Sequence, residues 1–137
     1  MKYLKLFEEL NDEIWYHATD AEFSEFNEPN DKTKPTSKLG IWFTKDKNYI
    51  EMFGKNQIAA KLSYNKPYII SYDRWDAMRM AHAKDANYFN NLRQRLISEG
   101  YDSFYIKGKI DKFADINLEI PDTIAVFYKT QISIVNL

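Results

Sequence analysis

The chain has 137 residues, of which 45% are hydrophobic and 16% aromatic, with four glycines and four prolines. This composition excludes a disordered chain, and the length predicts a single domain spanning residues 1–137. The net charge of −1 at pH 7 excludes a global basic field that would attract nucleic acid or an anionic membrane. Because cysteine is absent, disulfides, thiol nucleophiles and cysteine-ligated zinc are excluded, and two histidines argue against a histidine-rich metal site.

The first ten residues, "MKYLKLFEEL", carry charges at close intervals and apolar residues near helical spacing. They predict a short amphipathic helix and not a signal peptide. No stretch of the chain approaches the roughly 20 consecutive apolar residues of a membrane span. We therefore expect a cytoplasmic protein that has neither a membrane partner nor a metal.

The next part of the chain predicts two strands separated by a long loop. "IWYHAT" is aromatic and apolar and predicts the first strand, whereas the polar residues from Asp20 to Leu39 predict a surface loop. "LGIWFT" predicts the second strand. "KDKNYIEMFG" then predicts a short helix that ends at Gly54.

The second half of the chain predicts strands around one long helix. "QIAAKLSY" and "PYIISY" predict a strand pair around the turn "NKP", and residues 74–99 predict a helix with a break near Asp85 and an end at Gly100. "YDSFYI" predicts a strand, "KGKIDKFADINLEIP" a polar excursion, and "TIAVFY" with "QISIVNL" a late strand pair. This order predicts an α+β fold rather than a doubly wound parallel sheet.

Several nucleotide and metal motifs are absent from the sequence. It contains no GxxxxGK[ST], GxGxxG, HExxH or GxSxG motif and no calcium loop. Four glycines are also too few for a glycine-rich phosphate loop to be expected. These absences exclude P-loop nucleotide hydrolysis and Rossmann-type cofactor binding.

Three segments are informative because of their order and spacing: "WYHAT", "GIWFTKDKNYIEMFG" and "TIAVFYKTQISIV". Together they resemble the ADP-ribosyltransferase fold, in the branch of poly(ADP-ribose) polymerases and the compact transferase-like domains of phage and mobile-element polyvalent proteins. "LSYNKPYII" and "SEGYDSFYI" also resemble segments of that compact group. The resemblance runs from Ile14 to the carboxyl end. It implies split β-sheets with flanking helices and an NAD-binding cleft between them.

The first motif of that family is a histidine followed by a small residue and a hydroxyl residue. His17, Ala18 and Thr19 occupy these positions. The resemblance implies that His17 holds a ribose hydroxyl of NAD and that the backbone around Ala18 meets the nicotinamide amide. The family usually has glycine after the histidine, so Ala18 is a departure that adds a methyl group beside the ligand.

The second motif is Gly–x–Tyr–Phe, followed by a helix that carries another aromatic residue thirteen positions after the glycine. Gly40 occupies the glycine position, Trp42 the tyrosine position and Phe53 the later aromatic position. The resemblance implies that Trp42 and Phe53 stack on nicotinamide. Such stacking is worth about 1 kcal/mol per aromatic pair beyond burial.

The third motif places a catalytic glutamate at the start of the late strand. Alignment on Gln131 puts Thr123 at that position, with Asp122 immediately before it and Glu119 nearby. Neighbouring residues of a strand face opposite sides, so Asp122 could take the role only if the register slips or if the strand has not yet begun. The resemblance therefore leaves Asp122 and Glu119 as the candidate carboxylates.

The resemblance implies an NAD-dependent mono-ADP-ribosyltransferase that modifies a macromolecule, protein in preference to nucleic acid, as a phage or mobile-element effector in a bacterial cytoplasm. It implies no particular oligomeric state. One alternative keeps the fold without transfer, because threonine replaces the acidic residue. Another is a protein-interaction module whose aromatic residues serve an interface. Each candidate also has a structural interpretation: His17 as a buried strand residue, Trp42 and Phe53 as core, Asp122 as a cap.

Overall fold

The structure is a computed structural model that describes residues 13–19, 26, 35–46, 56–113 and 116–135. The helices predicted in "MKYLKLFEEL" and "KDKNYIEMFG" lie outside these residues. Phe53, the second predicted stacking residue, lies outside them as well.

Within the described residues the chain forms nine strands and two α-helices. The strands are β1 (Ile14–Thr19), β2 (Ile41–Thr44), β3 (Asn56–Leu62), β4 (Pro67–Ser71), β5 (Ser103–Lys107), β6 (Lys109–Phe113), β7 (Ile116–Ile120), β8 (Thr123–Val126) and β9 (Ile132–Ile134). The helices are α1 (Tyr72–Ala81) and α2 (Ala86–Ser98), and short 3₁₀ turns occupy Pro35–Lys38 and Lys129–Gln131. This mixture confirms the α+β class at the level of secondary structure.

The main sheet has seven strands in the order β4-β5-β8-β2-β1-β3-β9, and β6 with β7 forms a separate hairpin. Two predicted strand pairs are therefore wrong. β3 and β4 follow each other in the chain but lie in different halves of the sheet, and β8 pairs with β2 and β5 while β9 pairs with β3. The predicted polar excursion "KGKIDKFADINLEIP" is also wrong, because it contains the hairpin.

The main sheet has two halves, β4-β5-β8-β2 and β1-β3-β9, and the pairing between β1 and β2 that joins them is short. β1 keeps six registered pairs with β3, and β2 keeps four with β8. Between β1 and β2 the register has one pair, Tyr16 opposite Thr44. We call the region where these two strands continue past that pair the β1–β2 opening. The opening lies between residues 17–19 of β1 and residues 41–43 of β2.

The two faces of the sheet pack different cores. Both helices cover one face, whose buried residues are Leu39, Ile70, Trp75, Phe89, Leu92, Leu96, Phe104, Ile106, Ala125 and Phe127. The other face buries Trp15, Ile41, Phe43, Ala60, Leu62, Ile124 and Val126. We refer to these as the helix face and the open face. Because side chains alternate along a strand, neighbouring site residues are divided between the two faces.

The predicted break in the long helix is confirmed, and local caps explain it. α1 begins after Ser71, whose hydroxyl accepts a hydrogen bond from the Arg74 N–H at 3.2 Å. α2 begins after Asp85, whose carboxylate accepts from the Tyr88 N–H at 3.2 Å. Such caps satisfy backbone donors that a helix end leaves unpaired. The chain leaves α2 through Gly100, whose φ of +95° suits a residue without a Cβ.

The connection from β8 to β9 is tied to the turn between β3 and β4. The Gln131 side chain accepts a hydrogen bond from the Tyr128 N–H and donates to the carbonyl oxygens of Ser63 and Asp102. The Asp102 carboxylate in turn accepts from the backbone N–H of Asn65 and Lys66. Gln131, on which the sequence motif was aligned, thus holds the two halves of the sheet in place. No helix of the described residues could cross a membrane.

Candidate functional site

His17 lies on β1 at the β1–β2 opening, and its ring reaches across to β2. Its Nδ1 is 2.7 Å from the carbonyl oxygen of Trp42. Because a carbonyl oxygen only accepts, Nδ1 must carry the proton and donate. The ring also packs against Phe43, with centroids 5.4 Å apart, and against Phe26 at 5.1 Å. One hydrogen bond and two aromatic rings therefore fix the orientation of this imidazole.

The environment of His17 determines what its second nitrogen can do. Burial lowers the pKa of His17 below its usual 6.5, and the hydrogen bond to the Trp42 carbonyl, which favours the charged form, offsets only part of this shift. His17 is therefore neutral at pH 7. With the proton on Nδ1, its Nε2 is an acceptor and suits a ligand hydroxyl that donates.

The lowered pKa of His17 predicts a pH dependence of stability. Between its folded-state pKa and 6.5 the unfolded chain binds more protons than the folded chain, so the free energy of unfolding falls as the pH is lowered through that window. His17→Gln should lose this slope, which for one group is at most about 1.4 kcal/mol per pH unit. Urea unfolding of both proteins between pH 7 and pH 5 measures it. Equal slopes in His17→Gln and wild type would contradict the assignment.

Trp42 does not share a face with the ring of His17, although its carbonyl oxygen receives the His17 hydrogen bond. Its indole packs on the helix face, 5.0 Å from the ring of Trp75 and 6.4 Å from that of Phe104. The indole Nε1 donates to the Thr36 carbonyl at 2.9 Å. The resemblance implied that Trp42 and Phe53 stack on nicotinamide in the cleft where His17 positions the cofactor. The alternation of β2 instead sends the indole and Phe43 to opposite faces, so Trp42 contributes its backbone to the His17 side and its ring to the core.

Gly40 has a packing reason to be glycine. A Cβ at this position would lie 2.8 Å from the Cβ of Ala125 and 2.8 Å from the carbonyl oxygen of Val126. The backbone before β2 therefore runs directly against β8, and this contact accounts for Gly40 without a ligand. Of the other predicted binding residues, Ala18 and Thr19 continue β1 beside the opening, opposite Gln57 and Asn56 of β3.

Asp122 and Thr123 take opposite positions at the start of β8. Thr123 is the first residue of the strand and is registered opposite Thr44, so it shares the helix face with Ala125 and the Trp42 indole. Asp122 precedes the strand, and its side chain meets Tyr105 on the open face. The carboxylate therefore lies on the same face as the His17 ring. Asp122 precedes the strand, but the alternation still holds, so its carboxylate and the Thr123 side chain lie on opposite faces of the sheet.

The carboxylate of Asp122 is held by two neutral donors. The Tyr105 hydroxyl donates a short hydrogen bond to Oδ2, and the Gly108 N–H donates to Oδ1 at 2.7 Å. The Asp122 carbonyl oxygen also accepts from the Thr44 hydroxyl at 3.1 Å and from the Lys45 N–H at 3.2 Å. Both the side chain and the backbone of Asp122 are thus fixed against the ends of β2 and β5.

Lys45 connects this carboxylate to a second one. Its ammonium group lies 2.9 Å from Oε2 of Glu13 and 3.9 Å from Oδ2 of Asp122. The same ammonium lies 5.2 Å from the centre of the Trp15 ring, a cation–π contact. Glu13, Lys45, Tyr105, Gly108 and Asp122 form what we call the Asp122 cluster. The side chains of Glu13, Lys45 and Asp122 are each about one-third exposed, although Oε2 of Glu13 is itself buried.

Two tyrosines keep their protons in this environment. Burial, followed by the hydrogen bond to the Asp122 carboxylate and its charge, raises the pKa of Tyr105 far above 10. Burial, with smaller contributions from Glu13 and Asp122, raises the pKa of Tyr64 to about 12. The hydroxyl of Tyr105 therefore remains a donor to Asp122 at any pH in which the protein is assayed.

Asp122 lines a cavity of about 450 Å³ at the end of the sheet, where the β6–β7 hairpin forms one wall. The other candidate carboxylate, Glu119, is exposed and lines the same cavity. The lining residues are Lys45, Asp46, Gly108, Lys109, Ile110, Glu119, Ile120, Pro121 and Asp122. The structure thus brings together Asp122 and Glu119, and it places His17 on the same face of the sheet but not in the lining of this cavity.

The cluster contains residues that the sequence did not single out. Tyr105 lies inside the predicted strand "YDSFYI", Gly108 in the predicted polar excursion and Lys45 at the start of the predicted short helix, and none belongs to a recognisable motif. The available signal for these residues was a polar or small residue at or just after the end of an apolar run, as in "SFYIKGK" and "IWFTK". The described residues contain no group of three or more histidine, aspartate or glutamate side chains placed to hold a metal ion.

Comparison of the chain with family models, with curated proteins and with solved structures finds no match. His17 and the Asp122 cluster are the features of the described residues from which a function can be inferred.

Proposed function

We propose that this protein is an NAD-dependent mono-ADP-ribosyltransferase that modifies a macromolecular acceptor, a protein in preference to a nucleic acid, in a bacterial cytoplasm. The observation that carries the proposal is the neutral, oriented His17 at the β1–β2 opening, whose Nε2 is the unprotonated nitrogen and therefore an acceptor. A ribose hydroxyl is a donor of the kind this nitrogen suits. The motif order in the sequence supports the same reading.

The chemistry that NAD supplies when bound is release of nicotinamide from an ADP-ribosyl group that develops positive charge at the sugar. An anionic group fixed near that sugar stabilises the developing charge and needs no rearrangement during the reaction. In this proposal Asp122 is that group, and the support is that two donors fix its carboxylate and about one-third of its side chain is exposed. His17 holds a hydroxyl, and Asp122 supplies the charge.

Incubation of the protein with NAD labelled in the adenylate part and with bacterial lysate tests this proposal. We expect label to appear on a macromolecule and free nicotinamide to be released. Protease and nuclease treatment of the product distinguishes a protein acceptor from a nucleic acid. Calorimetry with millimolar NAD is the companion measurement. If no heat of binding and no nicotinamide release are observed, the proposal fails and the protein-interaction module remains.

A second candidate is an ADP-ribosyltransferase fold that binds NAD without transfer. Two observations favour it: Thr123 stands where the family has its glutamate, and the Asp122 oxygens already accept from Tyr105 and Gly108. The Thr123→Glu variant tests this candidate. If wild type binds NAD without releasing nicotinamide and the variant gains release, NAD binds on the helix face, where Thr123 lies. The natural chain is then an NAD-binding protein without transferase activity.

A further inference from the structure

We infer that Tyr105 is a positioning residue for the Asp122 carboxylate, the anionic group of the proposed reaction. The inference rests on the proposed function and adds to it a residue that no sequence motif indicates. It begins from the short hydrogen bond between the Tyr105 hydroxyl and Asp122 Oδ2. In this role Tyr105 acts through the Asp122 carboxylate and does not touch the ligand.

The side chain of Tyr105 is itself fixed. Its ring makes an edge contact with Trp15 at a centroid distance of 5.9 Å and a tilted contact with Tyr64 at 6.4 Å. Its backbone lies in β5, paired with Ile69 of β4 and with Ile124 of β8. The hydroxyl therefore has a defined position, which a donor on a flexible side chain would lack.

The remaining partners of Asp122 cannot replace that hydroxyl. The Gly108 N–H holds the other carboxylate oxygen, and the Lys45 ammonium is 3.9 Å away and lies closer to Glu13. Without the hydroxyl, Oδ2 loses this donor, and the Gly108 N–H on Oδ1 alone holds the carboxylate less firmly about its bond to the Cβ. A misplaced charge stabilises a transition state less than a fixed one, although the charge itself is still present.

The experiment is a double-mutant cycle on nicotinamide release from NAD, with wild type, Tyr105→Phe, Asp122→Asn and the double variant. Tyr105→Phe should lower kcat about 10- to 100-fold, as expected when a hydrogen bond to a charged group is removed, and should leave the KM for NAD within about threefold. The double variant should be no slower than Asp122→Asn alone, because the hydroxyl acts only through the carboxylate. A role in stability alone would not produce this coupling.

Tyr64→Phe is the matched control. Tyr64 packs against the rings of Trp15 and Tyr105, but the hydroxyl that donates to Asp122 is that of Tyr105. This variant should retain the wild-type kcat, and circular dichroism melts of both phenylalanine variants check that they fold. If wild type releases nicotinamide while Tyr105→Phe matches it, or if the two losses add, the inference about Tyr105 is overturned and the proposed function stands. If wild type releases none, the proposed activity is overturned together with the inference.

Discussion

An Asp122→Asn variant is expected to release nicotinamide from NAD about 10²–10³ times more slowly than wild type, the usual cost of removing one fixed electrostatic group. Asparagine is nearly isosteric with aspartate and can still accept from the Tyr105 hydroxyl or the Gly108 N–H. The change therefore removes the negative charge and one of the two acceptor oxygens while keeping the size of the side chain. Release of nicotinamide, measured at saturating NAD, reports this loss directly.

Glu119→Gln is the control for that experiment. Glu119 lines the same cavity as Asp122 but is an exposed residue of β7, and its charge is not held by the donors that fix Asp122. We expect it to keep nearly the wild-type rate. A large loss in Glu119→Gln with little loss in Asp122→Asn would transfer the catalytic role to the hairpin and contradict the assignment to Asp122.

The strands of the main sheet could be predicted because aromatic and β-branched runs mark each of them. "IWYHAT" and "IWFT" appear in the structure as β1 and β2, and "TIAV" begins the predicted late strand. The pairing between strands could not be predicted in the same way. β3 and β4 are separated by four residues of the chain, yet contacts from distant segments, β1 and β5, determine where each of them lies.

The hairpin formed by β6 and β7 was not predicted, because its many polar residues indicated a loop although apolar and polar residues alternate in β7. Ile116, Leu118 and Ile120 alternate with polar residues in β7, which is a strand signal. Ile110 of β6 is 64% exposed, whereas Ile120 of β7 is buried. A strand pair with this many polar residues resembles a loop in composition. It nevertheless forms one wall of the cavity at Asp122.

The site was predicted in part. His17 was selected from its motif, and the hydrogen bond to the Trp42 carbonyl gives it a definite tautomer that the sequence could not supply. The division of residues between the two faces could not be predicted, because it depends on where β2 and β8 begin. Because β8 begins at Thr123, the Thr123 side chain lies on the helix face and the side chain of the preceding Asp122 lies on the open face.

A Gly108→Ala variant is expected to lose about 3 kcal/mol in free energy of unfolding, near the upper end for overpacking. A Cβ on Gly108 would lie 2.0 Å from the Ile120 carbonyl oxygen, 2.7 Å from the Pro121 carbonyl carbon and 2.9 Å from the Asp122 nitrogen. All three are backbone atoms, so no side chain can turn away to relieve the contact. The chain must shift at the point where the Gly108 N–H holds the Asp122 carboxylate.

The Gly108→Ala variant should therefore lose nicotinamide release as well as stability, even at a temperature where it remains folded. Gly100→Ala is the matched control: its backbone has a φ of +95°, but its Cβ would meet only the flexible end of Lys66 at 3.3 Å. We expect that control to lose about 1–2 kcal/mol from backbone strain and to keep its activity. Urea unfolding and nicotinamide release are measured on both variants. Because Gly108 contacts Asp122 and Gly100 does not, equal activity in the two folded variants would show that the position of Asp122 does not govern the reaction.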